Sequence, residues 1–329
     1  FPVPQVGALR SATLMLALLL ASILTQAAPV AYPGPCNASA AVALVNGLFV
    51  VANDEDNVLR AYRHDRAAPP VYSLDLSTFL EADPARPEVD LEGAAAVGDR
   101  IYWIGSHSTS RKGKASPGRR RFFATSVSVV KDQVTLTPMG LPYKDLVRAF
   151  EDTPALRDLH LATAAGIAPE LPGGLNIEGL SATPTGALLI GFRNPIPEGK
   201  ALLIPLENPA EVITGKSARL GSPIALDLGG RGVRSIEYVA ARREYLILAG
   251  PAGDGGVFGL YRWSGNPGEP PQPVAGVDFT GLQPEALTQD AKGSAWIFSD
   301  DGSRLLDDGK ACKDSVAARQ SFRGLSVDF

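Results

Sequence analysis

Five stretches of the chain share one internal spacing, and this repetition limits the possible folds more than any other feature. Four of them open on a glutamate, reach a turn and then run through apolar residues to a polar end; they begin at Glu92, Glu178, Glu237 and Glu285. A fifth copy begins at Ser39, where a serine replaces the glutamate. Self-similarity at such a period is typical of repeat folds.

Each copy divides into four short apolar runs separated by turn residues. In the copy that starts at Glu178, these runs lie at 180–183, 188–192, 201–206 and 223–228. Four short strands per repeat are the pattern of a propeller blade. The sequence therefore predicts an all-β fold, a β-propeller with five blades.

The gap between the second and third copies is longer than the others. Residues 143–165 within it carry apolar side chains at helical spacing. We therefore expect a helical insertion in a single propeller domain that spans 36–329. A degenerate sixth blade in this gap is the alternative, and the last blade is expected to take its outer strand from 322–329.

The bulk composition and the first residues indicate an exported protein. Apolar residues make up 45% of the chain and charged residues 20%, with a net charge of −4, which argues against disorder and against nucleic acid as a partner. Residues 1–28 combine a positive charge, an apolar run and then small residues, which is typical of a cleaved secretory signal. An uncleaved anchor is the alternative. We expect a secreted or periplasmic monomer with no other membrane segment.

The two cysteines, Cys36 and Cys312, lie near opposite ends of the mature chain. Export permits a disulfide, and the two ends of a circular fold meet. We therefore predict a disulfide that closes the ring, with two separate buried thiols as the alternative.

Propeller geometry brings the start of each innermost strand and the end of the next strand to one face. The opening glutamates and the closing polar groups should therefore surround one mouth: Glu92, Glu178, Glu237, Glu285, Asn53, Asp54, His107, Arg193, Asn194, Asp300 and Asp301. Carboxylates that converge on one axis raise one another's pKa unless they are neutralised. Three arrangements would satisfy them, and all three stay open at this point.

The first arrangement is a Ca²⁺ or Mg²⁺ ion, because hard oxygen ligands suit these metals, with Ca²⁺ as the predicted cofactor. Its predicted ligands are Glu92, Glu178, Glu237, Glu285 and Asp300. The second is neutralisation by arginines beside the blades, namely Arg193, Arg231 and Arg234. In the third, the glutamates bond to neighbouring blades and serve only to lock them together.

A basic stretch at 105–123 follows the second strand of blade two and should reach the same mouth. Such a loop beside the carboxylates is expected to hold an anionic small molecule, although a solvated loop is the alternative. The predicted substrate-binding residues are Arg111, Lys112, Lys114, Arg193, Asn194, Arg231 and Arg234. The predicted catalytic residues are Glu178, His107 and Glu285, with His107 as a candidate acid or base.

Several segments resemble a bacterial family of unknown function that is related to the phytase-like esterase propellers. They are LEGAAAVGDRIYWIGSHS, LNIEGLSATPTGALLIGFRNP, GGRGVRSIEYV and the FSDDG near 300. The most specific pieces are 178–179 and 191–195. This resemblance implies a propeller with a phosphoester- or ester-cleaving site and bound Ca²⁺.

Three functions remain open from the sequence. In the first, a metal-assisted phosphoester or ester hydrolase, Glu178 and Glu285 hold the cation and activate water. In the second, a glycoside hydrolase, paired carboxylates across the channel act as acid and base. The scarcity of aromatic residues at the mouth argues against this second function, since sugars favour aromatic surfaces. In the third, the propeller only binds a ligand or serves as a scaffold.

Overall fold

The computed structural model describes residues 26–253, 255–290 and 292–329. It contains five antiparallel sheets of four strands each, and the first strand of every blade contacts the first strands of both neighbouring blades in a closed ring. This architecture is a five-bladed β-propeller. The predicted all-β fold is confirmed, with five blades rather than six.

Most of the predicted signal peptide, residues 1–28, lies outside the described residues. In the part of the chain that the structure describes, no helix is long and apolar enough to cross a membrane. Cleavage of a signal therefore stays a prediction.

Blades one to four are built from consecutive strands, and the first strand of each lies nearest the axis. After β1 (Val30–Pro33), blade one contains β2 (Ala40–Ala43), β3 (Leu48–Ala52), β4 (Val58–Arg63) and β5 (Tyr72–Asp75). Blade two contains β6 (Leu91–Val97), β7 (Arg100–Gly105), β8 (Phe122–Val130) and β9 (Gln133–Tyr143). Blade three contains β10 (Asn176–Ala182), β11 (Leu188–Asn194), β12 (Ala201–Leu206) and β13 (Ile224–Leu226). Blade four contains β14 (Gly232–Val239), β15 (Glu244–Gly250), β16 (Gly259–Trp263) and β17 (Gln272–Pro273).

Blade five closes the ring with strands from both ends of the described chain. It contains β18 (Pro284–Gln289), β19 (Ala295–Ser299) and β20 (Ser321–Val327), and its outermost strand is β1, which pairs antiparallel with β20. The segment predicted as the outer strand, 322–329, is therefore the third strand. The predicted disulfide is confirmed, because Cys36 and Cys312 are bonded across a sequence separation of 276 residues.

Among the described residues, the hydrophobic core consists of five clusters, one between each pair of adjacent blades. Between blades three and four, for example, Leu189 and Leu203 pack against Ile247 and Trp263. Side chains alternate between the two faces of a strand, so each sheet contributes to two clusters. Apolar packing thus joins every blade to both neighbours.

The predicted helical insertion is confirmed. It consists of α1 (Leu146–Asp152), a 3-10 turn (Pro154–Leu159) and α2 (Leu161–Ala164), and a further short helix, α3 (Pro209–Val212), follows β12. Leu146, Phe150 and Leu161 are buried in the cluster between blades two and three. The insertion therefore packs into that interface instead of forming another blade.

Removal of the disulfide should destabilise the ring. A Cys36→Ala, Cys312→Ala variant releases a cross-link over 276 residues, and we expect it to lose about 2–5 kcal/mol of unfolding free energy. Chemical unfolding of the variant and of the oxidised and reduced wild type measures this effect. Reduced wild type should match the variant, and equal midpoints for all three samples would contradict a stabilising role.

Candidate functional site

The innermost strands of four blades share a β-bulge near their start. The pairing of each with the next strand skips one residue, and the skipped residues are Glu92 in β6, Glu178 in β10, Arg234 in β14 and Glu285 in β18. A bulge turns the unpaired side chain out of the normal alternation. All four side chains are buried and interact electrostatically with one another. The bulges therefore direct them to one place at the mouth of the channel.

Blade four carries its bulge residue three positions earlier than the sequence spacing predicted. Arg234 lies at the ring position, whereas Glu237 pairs with Leu246 in the regular part of β14 and is not among the residues that line the central cavity. Burial alone raises the pKa of Glu237, to about 8, with no contribution from the ring carboxylates. The structure thus places three of the four predicted glutamates together and replaces the fourth with an arginine.

Arg234 forms ion pairs with glutamates of both neighbouring blades. Its Nε lies 3.1 Å from Glu178 Oε2, at an angle too poor for a hydrogen bond, and its Nη2 contacts Glu285 Oε1. Arg234 is only 4% exposed and Glu178 only 2% exposed. The three side chains, which we call the clasp, connect blades three, four and five.

A second arginine completes the coordination of Glu178. Arg193 Nη1 donates to Glu178 Oε1 at 3.0 Å, while its Nε and Nη2 donate to the carbonyl oxygens of Pro251 and Gly253. The amide of Asn176 donates to the same carboxylate oxygen at 2.9 Å. The hydrogen bonds to Glu178 thus all reach Oε1, while Oε2 accepts none. Neutralisation by arginine is the arrangement that this structure supports.

The geometry does not fit the calcium site predicted from the sequence. Among the described residues, no group of three or more His, Cys, Asp or Glu side chains is arranged to hold a metal ion. The guanidinium of Arg234 lies between two of the predicted ligands, Glu178 and Glu285. Calcium binding by Glu92, Glu178, Glu237, Glu285 and Asp300 stays a prediction without geometric support.

A cavity of about 560 Å³ opens over the clasp and carries an excess of negative charge. Eight carboxylates and five arginine or lysine side chains line it. All five of those cations are close to carboxylates: Arg111 to Glu170, Arg119 to Asp90 and Glu88, Arg193 to Glu178, Lys313 to Glu55, and Arg234 to Glu285. The cavity is therefore acidic, and its positive charges are largely neutralised by its own wall.

Glu92 is the buried acid of this cavity that lacks a partner. Its side chain is 9% exposed and lines the cavity, yet it makes no hydrogen bond or ion pair with any described residue. Burial raises its pKa well above the usual value, and the charges of Glu178, Asp90 and Glu285 raise it further. The carboxyl group of Glu92 therefore favours its protonated form more than an exposed glutamate does.

Asp54 and Asp300 line the cavity beside blades five and one, together with Asn37. Asn37 Nδ2 donates to Asp54 at 2.8 Å, and the backbone N–H of Gly302 donates to Asp300 at 2.8 Å. Burial raises the pKa of Asp54 to about 6, with a smaller contribution from Asp300. Burial also raises the pKa of Asp300. The sequence pointed to both aspartates but missed Asn37.

Glu285, the third residue of the clasp, also lines the cavity. Its pKa is shifted in opposite directions by burial and by the charge of Arg234. Burial raises its pKa well above the usual value, and contact with the guanidinium of Arg234 offsets only part of that rise. Asp90, which the sequence did not single out, lies opposite on blade two and forms an ion pair with Arg119 at 2.9 Å. Burial raises the pKa of Asp90 to about 7.

Only part of the predicted substrate-binding set reaches the cavity: Arg111, Arg193 and Arg234 line it. Lys112 and Lys114 are exposed and lie outside its wall. The amide of Asn194 donates to the carbonyl oxygens of Pro169 and Leu171. Arg231 donates to the carbonyls of Val257 and Leu228. Asn194 and Arg231 therefore hold loops in place.

His107, the predicted acid or base, does not face the cavity. Its side chain is completely buried, and its Nδ1 lies 2.8 Å from the carbonyl oxygen of Gly105. Burial lowers its pKa to about 4. A neutral, enclosed imidazole away from the cavity wall is a structural residue in this arrangement.

Comparison with known proteins identifies a family but no activity. A family model described as "Protein of unknown function (DUF3616)" matches residues 37–133 and 145–281. No curated protein matches the chain. Among solved structures, the chain is similar to a protein of unknown function from Bacteroides caccae, with 11% identity over 80% of this chain and 70% of that chain and a TM-score of 0.35.

Two enzymes of known structure are similarly distant. Glutaminyl cyclase from Myxococcus xanthus is 15% identical over 92% of this chain and 98% of that chain, with a TM-score of 0.40. The PQQ-bound aldose sugar dehydrogenase from Streptomyces coelicolor is 12% identical over 93% and 97%, with a TM-score of 0.42. At these identities and TM-scores, neither their fold nor their chemistry carries an argument for this chain.

Loss of the clasp arginine should destabilise the propeller. Arg234→Met leaves Glu285 and part of Glu178 buried without a compensating charge, and we expect it to lower the unfolding free energy by about 3–5 kcal/mol. Chemical unfolding measures the change. Addition of Glu285→Gln should recover part of the loss, whereas the exposed Arg262→Met is the matched control. Equal stability of Arg234→Met and Arg262→Met would contradict the clasp.

The raised pKa of Asp54 makes stability depend on pH with a defined sign. The folded pKa is about 6 against 3.8 for the free side chain, so the native state holds this proton more strongly. Its stabilising contribution is present below pH 4 and is lost as the pH rises through 6. We therefore compare the unfolding free energy of Asp54→Asn with that of wild type at pH 4 and at pH 8 by chemical unfolding. Between these two pH values, the difference should shift in favour of the variant by up to about 3 kcal/mol. A gain equal at both pH values, or matched by the exposed Asp227→Asn, would contradict this assignment.

Proposed function

We propose that this chain, which belongs to DUF3616, a family of proteins of unknown function, is a hydrolase whose active site is the cavity at the mouth of the channel. The observation that carries the proposal is Glu92, a buried carboxyl group without a partner in a cavity rich in carboxylates. Burial of an unpaired acid costs stability, and such groups concentrate at functional sites. A protonated carboxyl beside ionised ones is the arrangement of acid–base catalysis.

The sign of the charge in the cavity favours one reaction over the others. Glycoside hydrolysis passes through a transition state with positive, oxocarbenium-like character, which an acidic cavity stabilises. Transfer of an acyl or phosphoryl group builds up negative charge, which needs available cations. Arg111, Arg119 and Arg193 are already close to carboxylates. Hydrolysis of a glycosidic bond is therefore the reaction that this geometry supports best.

The roles follow from the surroundings of the two carboxyl groups. Glu92 donates its proton to the oxygen of the leaving group as the bond from that oxygen to the anomeric carbon breaks. Glu285, held by Arg234 through one carboxylate oxygen, accepts a proton from the water that attacks the anomeric carbon. Phe258 lines the cavity and offers an apolar surface to a sugar ring.

Two other expectations from the sequence stay open as outcomes of the same tests. A metal-assisted phosphoester or ester hydrolase, with the implied kinship to phytase-like esterases and an anionic substrate, remains a prediction, as does a propeller that only binds a ligand. The disulfide supports a place in an oxidising compartment, so a secreted or periplasmic monomer is part of the proposal.

Replacement of Glu92 should abolish turnover and leave the fold intact. We expect Glu92→Gln to lower kcat by about 100-fold or more and to unfold no earlier than wild type, because it removes a buried acid. The wild-type rate should fall as the pH rises and Glu92 loses its proton, and the variant should lack this alkaline decline. The exposed Glu207→Gln is the control with unchanged activity.

A panel of chromogenic aryl glycosides, aryl phosphates and aryl esters, assayed with and without chelator, measures these effects. Hydrolysis of a glycoside that persists in chelator is the expected result. Hydrolysis of an aryl phosphate that chelator abolishes would overturn the proposal in favour of the metal-assisted reaction. Full activity of Glu92→Gln would remove Glu92 from the mechanism.

A further inference from the structure

We propose that Asp54 and Asp300, with Asn37, form a subsite for a positively charged amino group, and that the substrate of this cavity is an amino sugar. The inference rests on the proposed function for the claim that the bound amine belongs to a sugar substrate. The subsite itself follows from the contacts beside blades five and one. Asp54 and Asp300 interact electrostatically with Glu285 in the same cavity, but neither aspartate is assigned to the chemistry.

The oxygens of the subsite lie close together because residue 302 is a glycine. A Cβ on Gly302 would lie 2.6 Å from Asn37 Oδ1 and 3.1 Å from Asp300 Oδ1, so the two oxygens flank the space that a side chain would fill. Asn37 Nδ2 in turn holds Asp54 at 2.8 Å. Three oxygen-bearing side chains from the two ends of the described chain thus border one part of the cavity.

Neither aspartate has a cation in direct contact, although Arg234 and Lys313 act on Asp300 from a distance. In the described part of the chain, Asp54 and Asp300 make hydrogen bonds but no ion pair. The nearby Lys313 Nζ lies 3.4 Å from Glu55, and Arg323 is bound to Asp301. The acidic charge at this place is therefore available to a ligand.

An unsatisfied buried oxygen independently indicates what the ligand must supply. Asn37 is 3% exposed, and its Oδ1 has no hydrogen-bond donor because its amide nitrogen is directed to Asp54. Asn176 repeats this arrangement elsewhere in the cavity wall, with its nitrogen directed to Glu178 and its oxygen without a donor. These two amide oxygens thus lack a donor among the described residues.

An ammonium group fits this wall better than a hydroxyl group or a metal ion. It carries a positive charge and three N–H donors, so it can reach Asp54, Asp300 and Asn37 together. A hydroxyl supplies one donor and no charge. Among the residues described, no three carboxylates are arranged to hold a metal ion. An amine on a sugar places this charge at a fixed distance from the glycosidic bond.

Isothermal titration calorimetry with three sugars of one scaffold tests the subsite: D-glucosamine, N-acetyl-D-glucosamine and D-glucose. We expect wild type to bind glucosamine at least about tenfold more tightly than the other two, since a charge-assisted hydrogen bond is worth this much. Equal affinities for the three sugars or no detectable binding of glucosamine would each overturn the inference. Glucose 6-phosphate is titrated as an anionic control, and its tighter binding would overturn the inference as well.

Two variants localise the effect. Asp54→Asn and Asp300→Asn should each lose the preference for glucosamine, whereas Glu92→Gln and the exposed Glu207→Gln should keep it. Titration with calcium chloride alone is the further control. A calcium affinity that depends on Asp54 and Asp300 and competes with glucosamine would make the metal the ligand and overturn the inference.

The proposed function and the subsite fail in different ways. Hydrolysis of neutral aryl glycosides by a protein without amine preference would leave the proposed function standing and remove the subsite. Binding of glucosamine that needs Asp54 and Asp300, without hydrolysis of any glycoside of an amino sugar, would keep the amine site and remove the proposed reaction.

Discussion

The guanidinium of Arg234 is the group on which the centre of this propeller depends. Closure of five blades brings the bulge residues of the inner strands to one axis, and three of these residues are acids. Several buried carboxylates in one place would each lose solvation without compensation. Arg234 lies between Glu178 and Glu285 and compensates their negative charges. Its ion pairs also link three blades. The same geometry that makes a site possible thus requires a cation in the wall.

The mouth consequently has two parts with different physical character. Around Glu178 the negative charge is compensated by Arg193 and Arg234, and Asn176 donates to the same carboxylate. On the other side, Glu92, Asp54 and Asp300 face the cavity without a cation of their own. Stability alone would favour paired or apolar residues there. The unpaired acids are therefore the part of the mouth that is best explained by a ligand or a reaction.

The repeat predicted the large features of the fold because each blade is a local unit. Four strands per copy, the insertion at 143–165 and the bond between Cys36 and Cys312 follow from spacing and circular closure. The bulges could not be predicted in this way, since an extra residue in a strand leaves no mark on composition. For this reason Glu237 was chosen where Arg234 lies at the ring position. β1 was missed as well, because no pattern links it to the last blade.

The contacts of the basic residues could not be predicted from the sequence either. A sequence shows that Arg111, Arg193 and Arg231 are cations, but it does not show which carboxylate or carbonyl each one meets. In the fold, Arg193 and Arg231 bind backbone oxygens and Arg111 lies beside Glu170. The acidic character of the cavity is therefore a property of the assembled wall. The number of basic residues at 105–123 had instead predicted a positively charged mouth.

The pairing of β1 with β20 has a consequence for biosynthesis. A nascent chain can form blades one to four as their strands emerge, but it cannot complete the circle until β20 is available to meet a strand made at the outset. Until then β1 has no partner, and the faces of blades one and four that blade five covers are exposed to solvent. Such unpaired edges and apolar faces promote association with other chains. A truncated product would thus resemble an aggregation-prone intermediate, and only the complete polypeptide hides all of these surfaces.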